Sequence, residues 1–301
     1  MDYHLNLGFS HIYIWDNNNP DGEHPEDVLA DFSQVIVLDC RGEKAFQNKA
    51  YTKFYNEYGN EYDWIAYIDV DEFITFSEQS GIHEINDFLS GFDDNVKIIH
   101  LNWMCYGDND ITELTDDFSM LNRFVKPMDF DKKVQYDFPE NNHVKSIIRG
   151  NMDIGDKMIT VHTPKDLDCL VVDAKGIACD NDYFKPYDFS VAYIRHYVTK
   201  TLPEWLLKIS KGIATAYAAD ELYPIERFFL YNERTANKEK IIRDFLRYKE
   251  AIEQSVATEL DIYKKELSVV REQLDVVVKS YELVMNSKAY KLGRKLLHPL
   301  S

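Results

Sequence analysis

The order of apolar runs in the first hundred residues constrains this chain more than any other feature. Short β-rich runs at His11–Trp15, Gln34–Leu38 and Trp64–Ile68 have strand length and are bounded by polar residues. Between the last two lies Glu43–Tyr58, where Ala45, Phe46, Ala50, Phe54 and Tyr58 fall near helical spacing and Gly59-Asn60 supplies a stop. Ile82–Leu89 is a second helix candidate, and Lys97–Trp103 is the next strand. Strand and helix in this alternation predict an α/β fold on a parallel sheet with right-handed crossovers. Further strand-like runs at Val144–Ile148, Met158–His162, Leu167–Val172 and Val191–Ile194 predict an antiparallel or mixed extension.

The chain changes character after that. Pro203-Glu204 suits a first helical turn, with Trp205, Leu206 and Ile209 as an apolar stripe. From Lys238 to Met285 there is no Pro or Gly. Leu260, Tyr263, Leu267, Val270, Leu274, Val277, Tyr281 and Val284 alternate steps of three and four, a heptad seam that predicts a coiled coil between copies or a long helix packed on its own domain. Three zones follow: a domain over 1–237, a helical extension over 238–285 and a tail over 286–301. The tail holds Lys288, Lys291, Arg294 and Lys295 and no acid among Tyr290, Leu292, Leu296 and Leu297, a pattern that suits peripheral contact with an anionic membrane surface.

Charge narrows the function classes. The net charge is −18, and the first 249 residues carry all of it, because the tail and residues 250–285 cancel. A surface this acidic repels phosphate backbones and excludes a general nucleic-acid binder. Cys40, Cys105, Cys169 and Cys179 show no paired metal spacing, so free thiols in a reducing compartment are expected, with a Cys169–Cys179 bridge as the alternative. No apolar run approaches the roughly 20 residues that span a bilayer. The start, Met1-Asp2-Tyr3-His4-Leu5, lacks the basic and apolar regions of a signal peptide. The expected location is cytoplasmic, with the tail at the inner face of the membrane.

The chemistry concentrates in Trp64–Phe73, an apolar strand that runs directly into Asp69, Asp71 and Glu72. Asp69 and Asp71 point the same way if the strand continues. Open α/β sheets bind ligands at the carboxyl ends of their strands. Two carboxylates there repel each other unless a cation sits between them, and a hard divalent ion suits oxygen ligands. Such an ion bridges diphosphate oxygens and stabilises a departing nucleoside diphosphate, which reconciles an anionic ligand with an acidic chain. Ile194–Lys200 adds His196 as a candidate metal ligand and Lys200 as a cation for the diphosphate. His162, before Thr163-Pro164, is the competing histidine.

These blocks resemble glycosyltransferase family 2 and family 92-like proteins. Leu7–Asn18 is similar to the family's second strand, with Asp16, Asn17 and Asp21 at its polar positions. Gln47 and Tyr51 resemble the following helix, and Trp64–Phe73 resembles the Asp-x-Asp-Glu-Phe block. Asn102-Trp103 with Gly107, Lys145-Ser146, His162 with Pro164, and His196-Tyr197 with Lys200 follow in family order, over about residues 3–235. The resemblance implies a GT-A-like, Rossmann-like mixed sheet flanked by helices, ahead of the long C-terminal helix. It implies transfer of a sugar from a UDP- or GDP-linked donor to a glycan or glycolipid hydroxyl, with Mn2+ or Mg2+ at Asp69 and Asp71 and His196 completing the shell. Asp16 and Asn17 would face the nucleotide, and Arg41, just after a strand-like run, would reach the donor. It also implies an earlier strand carrying an Asn-Glu pair, so the nucleotide-binding half of this chain is expected to lack one strand.

In an inverting reaction a carboxylate takes the acceptor proton. The candidates are Glu72, beside the metal pair, and Asp108 and Asp110 after the Lys97–Trp103 strand; Trp103 is a candidate acceptor platform. Two other functions compete. One is a metal-dependent phosphohydrolase, which would require more ligands for a second metal. The other is a coiled-coil assembly protein with a degenerate transferase domain.

Overall fold

The computed structural model describes residues 1–17, 24–43, 46–111, 117, 119–128, 140–211, 228, 231–232, 261–265 and 267–280. Asp21, Ala45, the seam positions Leu260, Tyr281 and Val284, and the 286–301 tail lie outside them. Two compact units, Met1–Lys238 and Glu239–Ser301, make up the chain.

The first unit runs α1 (Asp2–Asn6), β1 (Ile12–Asp16), α2 (Pro25–Leu29), β2 (Val35–Asp39), α3 (Gln47–Tyr58), β3 (Trp64–Ala66), β4 (Glu72–Phe76), α4 (Ile85–Leu89) and β5 (Val96–Cys105). It continues with α5 (Met120–Arg123), β6 (Val144–Arg149), β7 (Leu170–Asp173), β8 (Ala192–His196) and α6 (Leu202–Lys211). Strands β1 and β2 form a parallel pair, in register from Ile12 with Val35 to Asp16 with Asp39. The second sheet has the order β3-β6-β5-β8-β4, with β7 also on β5. Strand β6 is antiparallel to β3 and β5, β4 is antiparallel to β8, and β5 is parallel to β7 and β8. This mixed α/β architecture, with helices against a curled sheet and a helix near the C-terminus, is the GT-A-like fold that the resemblance implied.

Strand β5 is the axis of the sheet. Strand β6 takes one edge; the other is shared, Val96–His100 with β7 and Trp103–Cys105 with β8. A strand covered on both faces must be apolar almost throughout, and Ile98, Ile99 and Leu101 are fully buried. Ile99, Leu101, Ile147, Val172 and Ile194 join Ile74, Ile85 and Phe88 in the main core. A second cluster, with Phe54 and Tyr55 of α3, Ile65, Tyr67 and Ile148, receives Tyr13 and Trp15 of β1 and so ties the parallel pair to the helix. Just past β6 the backbone of Gly150 runs against that of Tyr62, where an added Cβ would lie 1.7 Å from a carbonyl oxygen, so only glycine fits.

Two local expectations change. The Trp64 run is laddered only as far as Ala66 and does not continue through the acids. Asp69 instead opens a turn that closes with the Glu72 N–H donating to the Asp69 carbonyl at 3.0 Å. Met158–His162 forms a single bridge, Ile159 to Pro164, rather than a strand. There the Thr160 hydroxyl donates to the Thr163 carbonyl at 2.8 Å, a local turn that outcompetes a ladder. None of the four cysteines is disulfide-bonded, so the bridge alternative is not realised.

In the second unit, residues 261–265 and 267–280 are helical and every one of them is exposed. Among the described residues no helix is long and apolar enough to cross a membrane.

His100, buried on β5, shares a hydrogen bond at 3.1 Å with the Ser146 hydroxyl. Burial, with the charge of Lys185, brings its pKa down to about 4. The unfolded chain therefore takes up this proton first, and stability falls as pH drops from about 6.5 to about 4. His100→Gln, which does not titrate, should flatten the pH dependence of urea unfolding across that window. An unchanged slope would refute this role.

Candidate active site

The acids that end the β3 run are held apart by groups from three other elements. Gln47, the first residue of α3, donates from Nε2 to Asp69 Oδ1 at 2.7 Å and to the Tyr51 hydroxyl at 3.0 Å. Lys145 of β6 donates to Asp69 Oδ2 at 2.8 Å and lies 3.3 Å from Glu72 Oε2. Glu72 Oε2 also accepts the Asp69 backbone N–H at 2.9 Å. Lys145 and Glu72 are fully buried, whereas the Asp69 side chain is about one third exposed.

Asp71 faces the other way, toward β8 and the turn into α6. Lys200 Nζ donates to Asp71 Oδ2 at 2.9 Å, with Lys208 of α6 at 3.9 Å from the same oxygen. His196 Nε2 lies 3.9 Å from Asp71 Oδ1. The antiparallel ladder that pairs Glu72 with His196 sets this approach, and the Tyr197 N–H donates to the Asp71 carbonyl at 3.0 Å. Lys200 occupies the left-handed region at φ 56°. For a side chain with a Cβ that conformation costs on the order of 1 kcal/mol, and such strain collects at functional sites.

The charge states follow from these contacts. Burial raises the Asp71 carboxyl, but the charges of Lys200 and Lys208 outweigh it and hold the group well below the carboxylate range. Burial pushes Glu72 up to about 8 against the pull of Lys145. Near pH 7 Lys145 is thus an ammonium and Asp69 a carboxylate, with Glu72 protonated. Burial also brings His196 down to about 3, so its imidazole is neutral despite Asp71. The Trp103 ring lies against it, with centroids 4.1 Å apart.

Just beyond β3 the structure thus gathers two carboxylates, Asp69 and Asp71, a neutral imidazole facing the second, and the ammonium groups of Lys145, Lys200 and Lys208. The family model for Glycosyltransferase family 92 matches residues 41–244, more than half of the chain. The chain belongs to glycosyltransferase family 92. A comparison with curated proteins finds no match. Membership makes the protein a glycosyltransferase, and the match covers Asp69, Asp71, His196 and Lys200 together.

The other candidate residues take several positions. His162 has Nδ1 at 2.9 Å from the Val144 carbonyl and stacks on Tyr183, with centroids 5.4 Å apart, while its ring also meets Trp103 at 5.3 Å. Trp103 itself is buried. Asp16, buried at the end of β1, is ion-paired with Arg41 Nε, and the same guanidinium contacts His24 and Glu26. Asn17 is exposed beside it. After β5, the buried Asp108 carboxylate accepts the Asp110 N–H at 3.1 Å, and Asp110 is exposed at φ 62°.

Gln47 and Lys145 were visible in the sequence only as family-like positions, and Lys208 not at all. Lys145 carried a readable signal: a lone lysine within the apolar run Val144–Ile148 must find buried anions. Removing one partner of a buried ion cluster typically costs about 3–5 kcal/mol. Lys145→Met should lie near the low end, about 3 kcal/mol in urea unfolding at pH 7, because Glu72 is already neutral there. Adding Glu72→Gln should recover part of the loss at pH 9, where the unfolded chain sheds the Glu72 proton while the folded one, without Lys145, must keep it. Equal stability of the single and double variants at pH 9 would contradict the arrangement.

Proposed function

We propose that this family 92 protein is a metal-dependent glycosyltransferase that moves a sugar from a UDP- or GDP-linked donor to a hydroxyl of a glycan or glycolipid, in polysaccharide or glycoconjugate synthesis. The observation that carries the reading is Asp71, with a neutral His196 facing one carboxylate oxygen and Lys200 on the other, beside Asp69 at the end of β3.

Two donors that a divalent ion accepts, the Asp71 carboxylate and the His196 imidazole, face each other, and among the described residues no group of three or more such ligands is assembled around them. Asp71 Oδ1 and His196 Nε2 stand 3.9 Å apart, wider than the roughly 3 Å between adjacent ligands at about 2.1 Å from an ion, so the two side chains would close up to hold one together. A carboxylate suits Mn2+ and Mg2+ alike, and an imidazole beside it favours the softer Mn2+. Asp71 and His196 would hold the ion, and Asp69 would stand beside it. When bound, the ion supplies Lewis-acid stabilisation of the negative charge on the leaving nucleoside diphosphate.

The chain's own residues do the rest. Lys200 and Lys208 bring two ammonium groups to the diphosphate side. Gln47 and Lys145 fix Asp69, and the buried Glu72 holds Lys145 and the Asp69 backbone in place. Asp16 at the end of β1 and Arg41 just past β2 take the nucleotide side. The acceptor side is the aromatic set that starts at Trp103 and runs through His162 to the exposed Tyr183. Of the candidate bases, Glu72 is sealed from solvent, whereas Asp110 is open to it, and the acceptor proton goes to the Asp108–Asp110 turn.

A thermal-shift screen of UDP- and GDP-sugars with and without Mn2+ tests this reading. Stabilisation that needs both metal and donor, and that disappears in Asp71→Ala, is expected. No response to any donor, or a response indifferent to metal, would overturn it. With a donor in hand, Lys200→Ala should lower turnover on the order of a hundredfold, the scale of losing one preorganised electrostatic contact.

A further inference from the structure

The second unit presents an apolar seam that the transferase reading leaves unused. In the heptad register of the sequence, Leu267 and Leu274 occupy position a, and Tyr263, Val270 and Val277 occupy position d. These five side chains are between 57% and 67% exposed. Ile262, Val269 and Val276 repeat at position c and are also exposed, as is Val278 at position e. So many large apolar side chains on one short stretch of helix far exceed the scatter of a monomer surface. A lone helix of this length is marginal in water and gains most of its stability from packing an apolar face.

The charges beside the seam say what covers it. Position g carries Glu259 and Glu266, and position e carries Lys264 and Arg271. Residues 259 and 266 lie outside the described residues, and their positions follow from the register alone. When two copies align in parallel, each g residue meets the e residue five positions later on its neighbour, which pairs Glu259 with Lys264 and Glu266 with Arg271. An antiparallel alignment sets g against g and e against e, acid against acid and base against base. Within one chain Lys264 reaches Asp261 at 3.9 Å, and both are exposed, so that contact offers little competition. On the outer face, Asp261 and Lys265, and Asp275 and Lys279, stand four apart in the favourable order for a solvated helix surface.

The seam also bears on strand number. β-branched residues at a with Leu at d favour two strands. Here the order is inverted, with Leu at a and Val at two of the three described d positions, and the apolar residues at c and e widen the face beyond a two-helix seam. We propose that this helix assembles copies of the chain into a parallel, in-register bundle of three or more strands, which brings several transferase units into one assembly.

Sedimentation equilibrium of the full chain tests the proposal. A mass of three or four chains is expected at micromolar concentration, and Leu267→Lys with Leu274→Lys should reduce it to one. Glu266→Lys alone should weaken assembly at least tenfold, and adding Arg271→Glu should restore it. A single-chain mass at tens of micromolar would overturn the proposal, and a dimer would overturn its strand number. Tighter assembly of Glu266→Lys would reveal antiparallel packing and overturn the register. Donor binding by the Leu267→Lys, Leu274→Lys variant should match that of the parent chain, so failure of the bundle and failure of the transferase reading are separable.

Discussion

Three carboxyl groups within four residues cannot share one turn without help, and the rest of the first unit is arranged around supplying it. Asp69, Asp71 and Glu72 repel one another in proportion to their burial. Compensation comes from Lys145, 76 residues from Asp69, and Lys200, 129 residues from Asp71. Local chain geometry cannot deliver either; only the sheet can. Placing β6 beside β3 carries Lys145 to Asp69, and placing β8 against β4 carries His196 and Lys200 to Asp71. The strand order and the electrostatics of the site are therefore one requirement. A sheet of different order would leave the acids unpaired, at a cost comparable to the whole stability of a domain.

The same arrangement reconciles the site with the acidity of the chain. With Glu72 protonated, the cluster has two carboxylates, Asp69 and Asp71, against three ammonium groups, Lys145, Lys200 and Lys208. It is locally cationic within a chain of net charge −18. Charges that lie close together and are partly desolvated act more strongly than distant surface charges screened by salt, so the local excess of lysine charge outweighs the acidity of the rest of the chain here. His196, neutral through burial, adds nothing to that excess.

How much of this was legible in the sequence depended on distance along the chain. The Trp64–Phe73 block was readable because one apolar strand running into three acids is a local pattern. Its geometry was less so: a continuing strand would have put Asp69 and Asp71 side by side, whereas the turn sends Asp69 toward Lys145 and Asp71 toward Lys200. That turn depends on the Asp69 N–H donating to the Glu72 carboxylate, a contact that spacing alone does not specify. Gln47 is a polar residue at a helix start in any sequence reading, and only the packing of α3 against β3 aims it at Asp69. Met158–His162 misled for a related reason, because Thr160 and Pro164 satisfy the backbone locally in a stretch whose apolar residues resemble a strand.

A division within β5 couples the site to the core. Over Val96–His100 one edge of the strand is taken by β7, and over Trp103–Cys105 by β8, both parallel. Between them the Asn102 side chain donates to the Lys185 carbonyl and accepts the Asp188 N–H, which closes the gap between the two neighbours. Trp103 is the first residue beyond the division, and its ring lies against His196, two positions past its own ladder partner Ile194. A smaller residue at 103 would leave the imbalance of packing to be met by movement of the imidazole. The bulk of the indole thus fixes the histidine that faces Asp71, and the division in β5 couples the core of the sheet to the chemistry at its edge.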